Sequence, residues 1–325
     1  MSPIPEARGA EFLKILVTGG AGFIGSEFVR SLLQQKYDEL GLSPKHVTVI
    51  DALTYAGSLE NLKSISSDGR FEFVHGNITD FDLMLKLTRD CDLIFNFAAE
   101  SHVDRSIENP AIFIETNVLG TYTVLEVAKQ NKVKRVVQVS TDEVYGSIEK
   151  GSWNEESPLK PNSPYSASKA SGDLLARSYF KTFGLDVVVT RSCNNYGPYQ
   201  HIEKLIPQLI TRILNDEPLP IYGDGSNIRE WIHVSDHSRA IAFISLNGVA
   251  GEIYNIGSSD ELTNLEIANW LLELVPSSKS KINLVADRLG HDFRYSLDTT
   301  KFDKFGLKLK PFEIGIHELV NHYYS

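Results

Sequence analysis

The sequence predicts an α/β fold, a doubly wound parallel sheet with helices on both faces, followed by a smaller C-terminal domain. Three observations indicate this fold. Short apolar runs alternate with longer segments of helical period, as in a parallel sheet whose strands are joined by helical crossovers. The runs are apolar throughout, as expected of strands that are covered on both faces. The length of 325 residues suits two domains of roughly 150 residues each.

The first part of the chain contains six predicted strands. In order they are Leu13–Val17, His46–Ile50, Phe71–Val74, Asp92–Phe97, Arg135–Val139 and Asp186–Thr190. After the first strand, an apolar stripe that includes Phe23, Phe28 and Leu32 has near-helical spacing. We therefore expect a helix there that packs on the sheet.

Beyond Asn195 the pattern changes, because prolines and the turn Gly223-Asp224-Gly225 break the chain into shorter pieces. We expect one more strand at Glu252–Ile256 and a helix over Asn264–Val275. The stretch Tyr145–Pro164 is a loop long enough to be functional.

The predicted domain boundaries follow from this change of pattern. They are residues 12–192 for the first domain, with a return segment at 230–257, and residues 193–229 with 258–325 for the second.

Composition excludes several classes of function. The formal net charge is −10 at pH 7, so no overall positive field would bind a nucleic acid or an anionic membrane surface. The two cysteines, Cys91 and Cys193, form no CxxC pair and lie in no His cluster with metal-ligand spacing, so we expect no metal site and a reduced, cytoplasmic protein. The apolar run that begins at Phe12 is too short for a signal peptide or a spanning helix.

A glycine-rich turn follows the first strand and opens the first helix. Gly19, Gly22 and Gly25 have GxxGxxG spacing, and a helix N-terminus without obstructing side chains can bind a pyrophosphate on its backbone N–H groups. Asp51 ends the second strand, where a carboxylate can accept from the adenine-ribose diol of NAD and would repel the 2′-phosphate of NADP. Taken alone, the glycines could be needed only because the turn has positive φ angles, and Asp51 could be a solvated turn residue. Together they predict a Rossmann-like domain that binds NAD.

Tyr165 and Lys169 are expected on one face of a helix that begins after Pro164. A nearby ammonium favours phenolate, so we expect it to lower the pKa of Tyr165 from about 10 toward working pH and make the tyrosine a base. An exposed helix pair is the alternative for so common a spacing. The position of the pair after a strand end in a dinucleotide-binding sheet favours the chemical interpretation.

Thr141, Asp142 and Glu143 follow the fifth strand. Two adjacent carboxylates at the end of an apolar strand are costly unless they face a cleft. The alternative is a helix cap at Asp142 with Glu143 in solvent. Hydride transfer needs only the tyrosine and the lysine, so an additional acid and base imply that the reaction also eliminates or protonates a group.

On these motifs the chain resembles the extended short-chain dehydrogenase/reductase superfamily and, within it, the dTDP-glucose 4,6-dehydratases. The runs that carry the resemblance are residues 53–57, 97–106, 140–146, 194–199, 222–225 and 287–295. They are specific when taken together, whereas the glycine motif and the Tyr-x-x-x-Lys pair belong to the wider superfamily. The resemblance covers nearly the whole chain after Phe12.

The resemblance implies a nucleotide-sugar substrate and a redox cycle that regenerates NAD. Tyr165 would take the proton from O4 of the sugar while hydride passes from C4 to NAD, with Thr141 hydrogen-bonded near O4. Glu143 would then remove the C5 proton, Asp142 would protonate the departing O6 hydroxyl, and the hydride would return to C6. One phenolate base and a carboxylate pair match these steps.

The resemblance also implies two sets of binding residues. The NAD set contains Gly19, Gly22, Phe23, Ile24, Gly25, Asp51, Asn77, Ile78, Ala98, Ala99, Thr116, Tyr165, Lys169 and Asn195. The nucleotide-sugar set contains His102, Thr141, Asn194, Lys204, Leu205, Tyr222, Arg229, Asn264, Arg288 and His291. Lys204, Arg229 and Arg288 would offset the charge of a diphosphate. Ordinary surface cations and, for His102, a buried core histidine are the alternatives.

Four positions depart from the family pattern. Asn77 replaces an aspartate near the adenine, Ile202 and Leu289 replace prolines, and Glu230 replaces an aspartate. We expect the last three on substrate-side loops, where they leave the chemistry intact. They leave the choice between dTDP and UDP open.

Two other functions compete with this one. A nucleotide-sugar C4 epimerase or decarboxylase would share NAD and the Tyr-Lys pair, but it typically has small residues at the positions of Asp142 and Glu143. A non-catalytic NAD-binding regulator can lose the Tyr-Lys pair, whereas this chain keeps Tyr165, Lys169 and both carboxylates. By analogy within the superfamily, the helical segments Pro110–Lys129 and Tyr165–Phe183 predict a homodimer with a four-helix seam.

Overall fold

The computed structural model describes residues 13–287 and 290–324, and it confirms the predicted fold class. Arg288, Leu289 and the segment before Leu13 lie outside the described residues. The strands in chain order are β1 (Leu13–Thr18), β2 (Pro44–Asp51), β3 (Phe71–His75), β4 (Leu93–Asn96), β5 (Arg135–Thr141), β6 (Val187–Ser192), β7 (Asn194–Tyr196), β8 (Leu219–Tyr222), β9 (Ile228–His233), β10 (Ile253–Ile256), β11 (Glu261–Thr263) and β12 (Ile282–Val285).

Helices cover the sheet and build the C-terminal part. They are α1 (Phe23–Leu33), α2 (Phe81–Leu87), α3 (Val103–Glu108), α4 (Pro110–Phe113), α5 (Thr121–Gln130), α6 (Pro164–Phe183), α7 (Leu205–Leu214), α8 (Val234–Asn247), α9 (Asn264–Leu274), α10 (Thr300–Asp303) and α11 (Phe312–Tyr324). Short 3₁₀ turns span Asp38–Leu40, Leu59–Ile65 and Asp142–Tyr145, and a π-helical stretch spans Ile114–Gly120.

The main sheet has seven strands in the order β10-β6-β5-β4-β1-β2-β3, and every neighbouring pair is parallel. The six predicted strands and the later strand over Glu252–Ile256 are confirmed, as is the helix over Asn264–Val275, which ends one residue earlier. The strand order reverses between β1 and β4. In an open parallel sheet the crevice at such a reversal, beyond the carboxyl ends of the strands, is where ligands bind.

Apolar side chains pack on both faces of this sheet, as the uninterrupted apolar strands predict. One layer contains α1 and α8, and the other contains α2, α5 and α6. In the first layer Phe28 is fully buried and packs against Tyr37, Phe95 and Phe97. A third apolar cluster lies among α7, α9 and α11, next to the small sheets β11-β9-β7 and β12-β8.

The predicted helix over Pro110–Lys129 is interrupted: α4 and α5 are joined by the π-helical stretch Ile114–Gly120. Such stretches are frequent at functional sites. Asn117 lies inside it, and its amide accepts from the N–H of Glu100 at 2.9 Å and donates to the hydroxyl of Ser168 at 2.8 Å. This amide joins the segment after β4 to α6.

Across the described parts of the chain, no helix has the length and apolar character needed to cross a membrane. The same residues contain no group of three or more His, Cys, Asp or Glu side chains placed to bind a metal ion.

Candidate active site

A cavity lies at the reversal of strand order, beyond the carboxyl ends of β1 and β4. Every residue of the predicted NAD set lines it. Thr141, Asp142 and Glu143 line the same cavity, next to Tyr165 and Lys169. The fold therefore brings the predicted cofactor residues and the predicted chemical groups to one site.

The glycine turn allows close backbone approach at this cavity. Gly19 has a φ of +67°, and a Cβ there would lie 2.6 Å from the backbone nitrogen of Ala98. A Cβ on Gly25 would overlap the carbonyl oxygen of Gly19. Gly22 precedes the first residue of α1, so the free N–H groups of that helix begin at the cavity wall. This is the arrangement that binds a pyrophosphate.

Asp51 ends β2 and is held by backbone donors. Its Oδ2 accepts from the N–H of Ala21 at 2.9 Å, and its Oδ1 accepts from the N–H of Leu53 at 2.8 Å. Burial raises the pKa of Asp51, while these hydrogen bonds act in the opposite direction. Because each carboxylate oxygen has a second lone pair, Asp51 can still accept from a ribose diol. The nearby Asn77 already uses its Oδ1 to accept from the N–H of Thr79 at 3.0 Å.

Tyr165 and Lys169 are both buried on α6, so the pair is not the exposed one that its spacing alone could give. A capping box between Ser163 and Ser166 fixes the start of this helix. The Lys169 ammonium donates to the carbonyl oxygen of Val139, near the end of β5, at 2.7 Å. Burial lowers the pKa of Lys169 to about 8, which leaves the side chain mostly charged at pH 7.

The expected lowering of the tyrosine pKa is wrong for this structure. Burial, followed by the carboxylates of Glu143 and Asp142, raises the pKa of Tyr165 well above its ordinary value, and a hydrogen bond with Thr141 offsets only part of this effect. The physical reason is that the phenol is buried beside the acidic side chains of Glu143 and Asp142, whereas the Lys169 ammonium is bonded to a backbone carbonyl. Phenolate formation here needs additional positive charge.

The Asp142–Glu143 pair lies at the start of the 3₁₀ turn after β5. Thr141 caps this turn: its hydroxyl oxygen accepts from the N–H of Glu143 at 3.3 Å and donates to Oδ1 of Asp142 at 3.0 Å. The cap is therefore Thr141, not Asp142 as the alternative interpretation had it.

Asp142 is only 2% exposed, whereas Glu143 is half-buried. Burial, then the neighbouring Glu143 and the more distant Glu230, raise the pKa of Asp142 well above its ordinary value. Within the described residues, Oδ2 of Asp142 is buried without a hydrogen-bond partner. A carboxyl group with a raised pKa beside a more accessible carboxyl group can supply an acid and a base in one reaction.

The predicted nucleotide-sugar set is divided. Thr141, Asn194 and Lys204 line the cavity, and the Lys204 ammonium donates to the carbonyl of Ser101 at 2.9 Å. The other described members do not belong to its wall: His102, Leu205, Tyr222, Arg229, Asn264 and His291. His102 is half-buried at the start of α3, so it is not a core histidine.

Arg229 binds backbone carbonyls. Its buried guanidinium donates to the carbonyl oxygens of Ile228 at 2.7 Å, Asp292 at 2.9 Å and Phe293 at 3.2 Å, and it lies over the ring of Tyr295. These bonds hold the segment that follows residue 290. Contact with a diphosphate stays a prediction for this residue.

The expected loop position is wrong for Glu230. The residue lies in β9 and is 1% exposed, and its carboxylate accepts from the N–H groups of Ser259 at 2.8 Å and Leu297 at 3.3 Å. The reason is that the strand turns this side chain toward backbone donors of two other segments. Ile202, by contrast, is exposed in a turn.

Sequence reasoning did not assign several cavity-lining residues, among them Tyr55, Ser101, Cys193, Gln200 and His201. Tyr55 and Ser101 lie within the runs that carry the family resemblance, and their side-chain oxygens are 3.2 Å apart. No pattern in the sequence marks Gln200 or His201, which reach the cavity after a residue with positive φ, Tyr199.

A parallel sheet with a glycine turn at its reversal, a carboxylate at the end of β2 and a buried Tyr-Lys pair define the extended short-chain dehydrogenase/reductase class. The chain belongs to the family described as GDP-mannose 4,6 dehydratase, whose model matches residues 16–321.

Three relatives show how close the similarity is. The chain is 52% identical to the dTDP-glucose 4,6-dehydratase of Streptomyces niveus, over 96% of this chain and 93% of that protein. It is 50% identical to the low-salt glycan biosynthesis protein Agl12 of Haloferax volcanii, over 96% and 98%. The solved dTDP-glucose 4,6-dehydratase of Streptomyces venezuelae, which has NAD bound, superposes with a TM-score of 0.93 at 53% identity, over 96% and 97%. The resemblance found in the sequence is confirmed.

Proposed function

We propose that this chain is a dTDP-glucose 4,6-dehydratase, which binds NAD and converts dTDP-glucose to dTDP-4-keto-6-deoxyglucose and water. The observation that carries the proposal is the buried Asp142, whose pKa burial raises well above its ordinary value, next to Glu143 in the cavity that also contains Tyr165 and Lys169. The relatives that are 52% and 53% identical to this chain are named dTDP-glucose 4,6-dehydratases.

The residues of the cavity fit the cofactor. The glycine turn at the start of α1 would hold the pyrophosphate, and Asp51 would accept from the adenine ribose. NAD, when bound, supplies the hydride acceptor and later the hydride donor, together with a positive charge. Of the chain's own groups, the Lys169 ammonium would favour the phenolate of Tyr165, which burial disfavours.

The protein side chains supply the proton transfers. Tyr165 removes the O4 proton as C4 is oxidised, while Thr141 is hydrogen-bonded near O4. The resulting ketone makes the C5 hydrogen acidic, and Glu143 removes it. Asp142, whose pKa is raised by burial and by the neighbouring Glu143, gives its proton to the departing O6 hydroxyl. Both carboxyl roles depend on the different environments of the two groups.

The assay that tests this function compares substrates. Purified protein is incubated with dTDP-glucose and, separately, with UDP-glucose. The mass of each product is then measured by mass spectrometry. We expect a product that has lost one water, formed faster from dTDP-glucose. A hexose of unchanged mass would instead support the C4 epimerase, and a faster reaction of UDP-glucose would reassign the nucleotide.

The purified protein is expected to carry NAD that was never added, and denaturation should release NAD rather than NADP. Asp51→Asn should weaken NAD retention by roughly 10- to 100-fold, because a hydrogen bond to a charged group contributes about 1.5–3 kcal/mol. Dinucleotide content per chain, measured by chromatography after denaturation, checks this result. Asp80→Asn is the matched control, since Asp80 caps α2 outside the cavity. Equal NAD content in both variants would contradict the assignment of Asp51.

We further propose a cytoplasmic homodimer. Leu119 on the π-helical stretch, Tyr122 on α5 and Leu174 on α6 are 49%, 41% and 55% exposed. The three segments pack against one another, and an exposed apolar patch marks an interaction site. These segments are the ones predicted to form the seam. The free cysteines, Cys91 and Cys193, suit a reducing compartment.

Light scattering on the purified protein tests the dimer. Leu174→Glu is expected to give monomers, because a charge would be buried in the seam. Leu284→Glu is the control, since Leu284 is equally exposed, at 56%, on β12. A monomeric wild-type protein, or equal dissociation in both variants, would contradict the proposed seam.

A further inference from the structure

A network of buried hydrogen bonds lies next to the active-site cavity. Asp173 lies one helical turn after Lys169 on α6, and its Oδ2 accepts from Nε of Arg191 on β6 at 2.9 Å. Nη1 of Arg191 donates to the hydroxyl of Tyr145 at 2.8 Å, and that hydroxyl donates to Oδ1 of Asn255 on β10 at 2.8 Å. None of these four contacting residues belongs to the described wall of the cavity.

Burial of this hydrogen-bond network costs free energy. Asp173 and Arg191 are almost entirely removed from solvent, and the desolvation of such a pair often outweighs its attraction, so that apolar residues of similar volume serve stability as well or better. The guanidinium also lies 4.7 Å from the centre of the Tyr145 ring. The arrangement of Asp173, Arg191 and Tyr145 therefore indicates that the network fixes the positions of the elements that it joins.

Two members of this hydrogen-bond network lie on the two elements that carry the proposed reaction. Asp173 belongs to the helix that carries the oxidation pair, Tyr165 and Lys169. Tyr145 is the last residue of the 3₁₀ turn that begins with Asp142 and Glu143. We propose that Tyr145, bonded to Arg191, is a positioning residue that holds the elimination acid and base in register with the oxidation pair. The inference rests on the dehydratase function proposed above.

The oxidation pair has supports that do not involve Tyr145. Lys169 is bonded to the carbonyl of Val139, and Asn117 is bonded to Ser168 on the same turn of α6. We therefore expect removal of the Tyr145 hydroxyl to let the turn that carries Asp142 and Glu143 shift, while α6 keeps its place. Misplacement by about 1 Å can lower a rate on the order of 100-fold, so the elimination should slow while the oxidation does not.

Tyr145→Phe is the direct test, because it keeps the ring that stacks on Trp153 and removes only the hydroxyl. In single turnover, NADH absorbance reports oxidation, and uptake of solvent deuterium at C5 with loss of water reports elimination. We expect elimination to fall roughly 10- to 100-fold and oxidation to change less than about threefold.

Two further variants make the result specific. Tyr179→Phe is the matched control, because Tyr179, on α6, is buried like Tyr145 and its hydroxyl is bonded to Glu126 at 2.8 Å. We expect both rates to stay unchanged in this variant. Arg191→Lys keeps a cation for Asp173 but loses the fork that also reaches Tyr145, so it should reproduce the selective slowing even if Tyr145→Phe does not fold.

The outcomes separate this inference from the proposed function. A wild-type protein that removes no water from either nucleotide sugar would overturn the function itself. A dehydrating wild type, combined with equal slowing of both steps in Tyr145→Phe and Arg191→Lys or with no slowing, would overturn only the positioning role.

Discussion

Replacement of Tyr165 by phenylalanine is expected to remove most of both oxidation and dehydration. Turnover should fall by about 10²–10⁴-fold, the usual contribution of one positioned proton-transfer group. The substitution keeps the ring, which packs edge-on against Phe113, and removes only the hydroxyl. Dehydration must fall as well, because the C5 hydrogen becomes acidic only after C4 is a ketone. Single-turnover NADH absorbance and product mass measure the two steps.

Tyr254→Phe is the control for that experiment. Tyr254 is a buried tyrosine whose hydroxyl accepts from the backbone N–H of Val249 at 2.9 Å, and it does not line the described cavity. Its variant should retain both steps. Near-normal turnover in Tyr165→Phe would refute the assignment of the base.

Substitution of either carboxyl group should separate the two steps that Tyr165→Phe abolishes together. Asp142→Asn and Glu143→Gln each remove one proton-transfer role, so we expect dehydration to fall about 10²–10⁴-fold. Oxidation should survive, because Tyr165, Lys169 and the NAD site are unchanged. Single turnover should then show NADH and a trapped 4-keto-glucose nucleotide, with 6-deoxy product forming slowly.

The two carboxyl variants differ in one measurement. Glu143→Gln should also slow the exchange of solvent deuterium into C5, since no other group in the cavity is assigned to take that proton. In Asp142→Asn this exchange should continue, because the half-buried Glu143 is still present. If neither substitution changes the dehydration rate, the two carboxyl groups have only a structural role, and other groups must supply the elimination acid and base.

The cofactor half of the site could be predicted from the sequence because local chain geometry determines it. A glycine spacing at the end of one strand and an acid at the end of the next place Gly19 and Asp51 at the same edge of a parallel sheet. The positions of Tyr165 and Lys169 follow from a helix that starts at a proline.

The substrate half depended on contacts that no local pattern encodes. Arg229 and Glu230 are neighbours in β9, and tertiary packing alone decides that the guanidinium binds carbonyls and that the carboxylate binds N–H groups. The direction of the Tyr165 pKa was unpredictable for the same reason. It depends on how deeply the fold buries the phenol beside two carboxylates.

The π-helical stretch Ile114–Gly120 bears on which insertions and deletions this chain can tolerate. A π turn closes its hydrogen bonds over one more residue than an α turn does, so it stores an extra residue in the helix. Its deletion would let the helix regain α-helical phase and would rotate the side chains on one side of the cut by about 100°. After a deletion between Asn117 and α5, Asn117 could not stay on Ser168 while α5 kept its contacts with α2 and α6. The partly exposed helix should therefore accept substitutions but not a change of length.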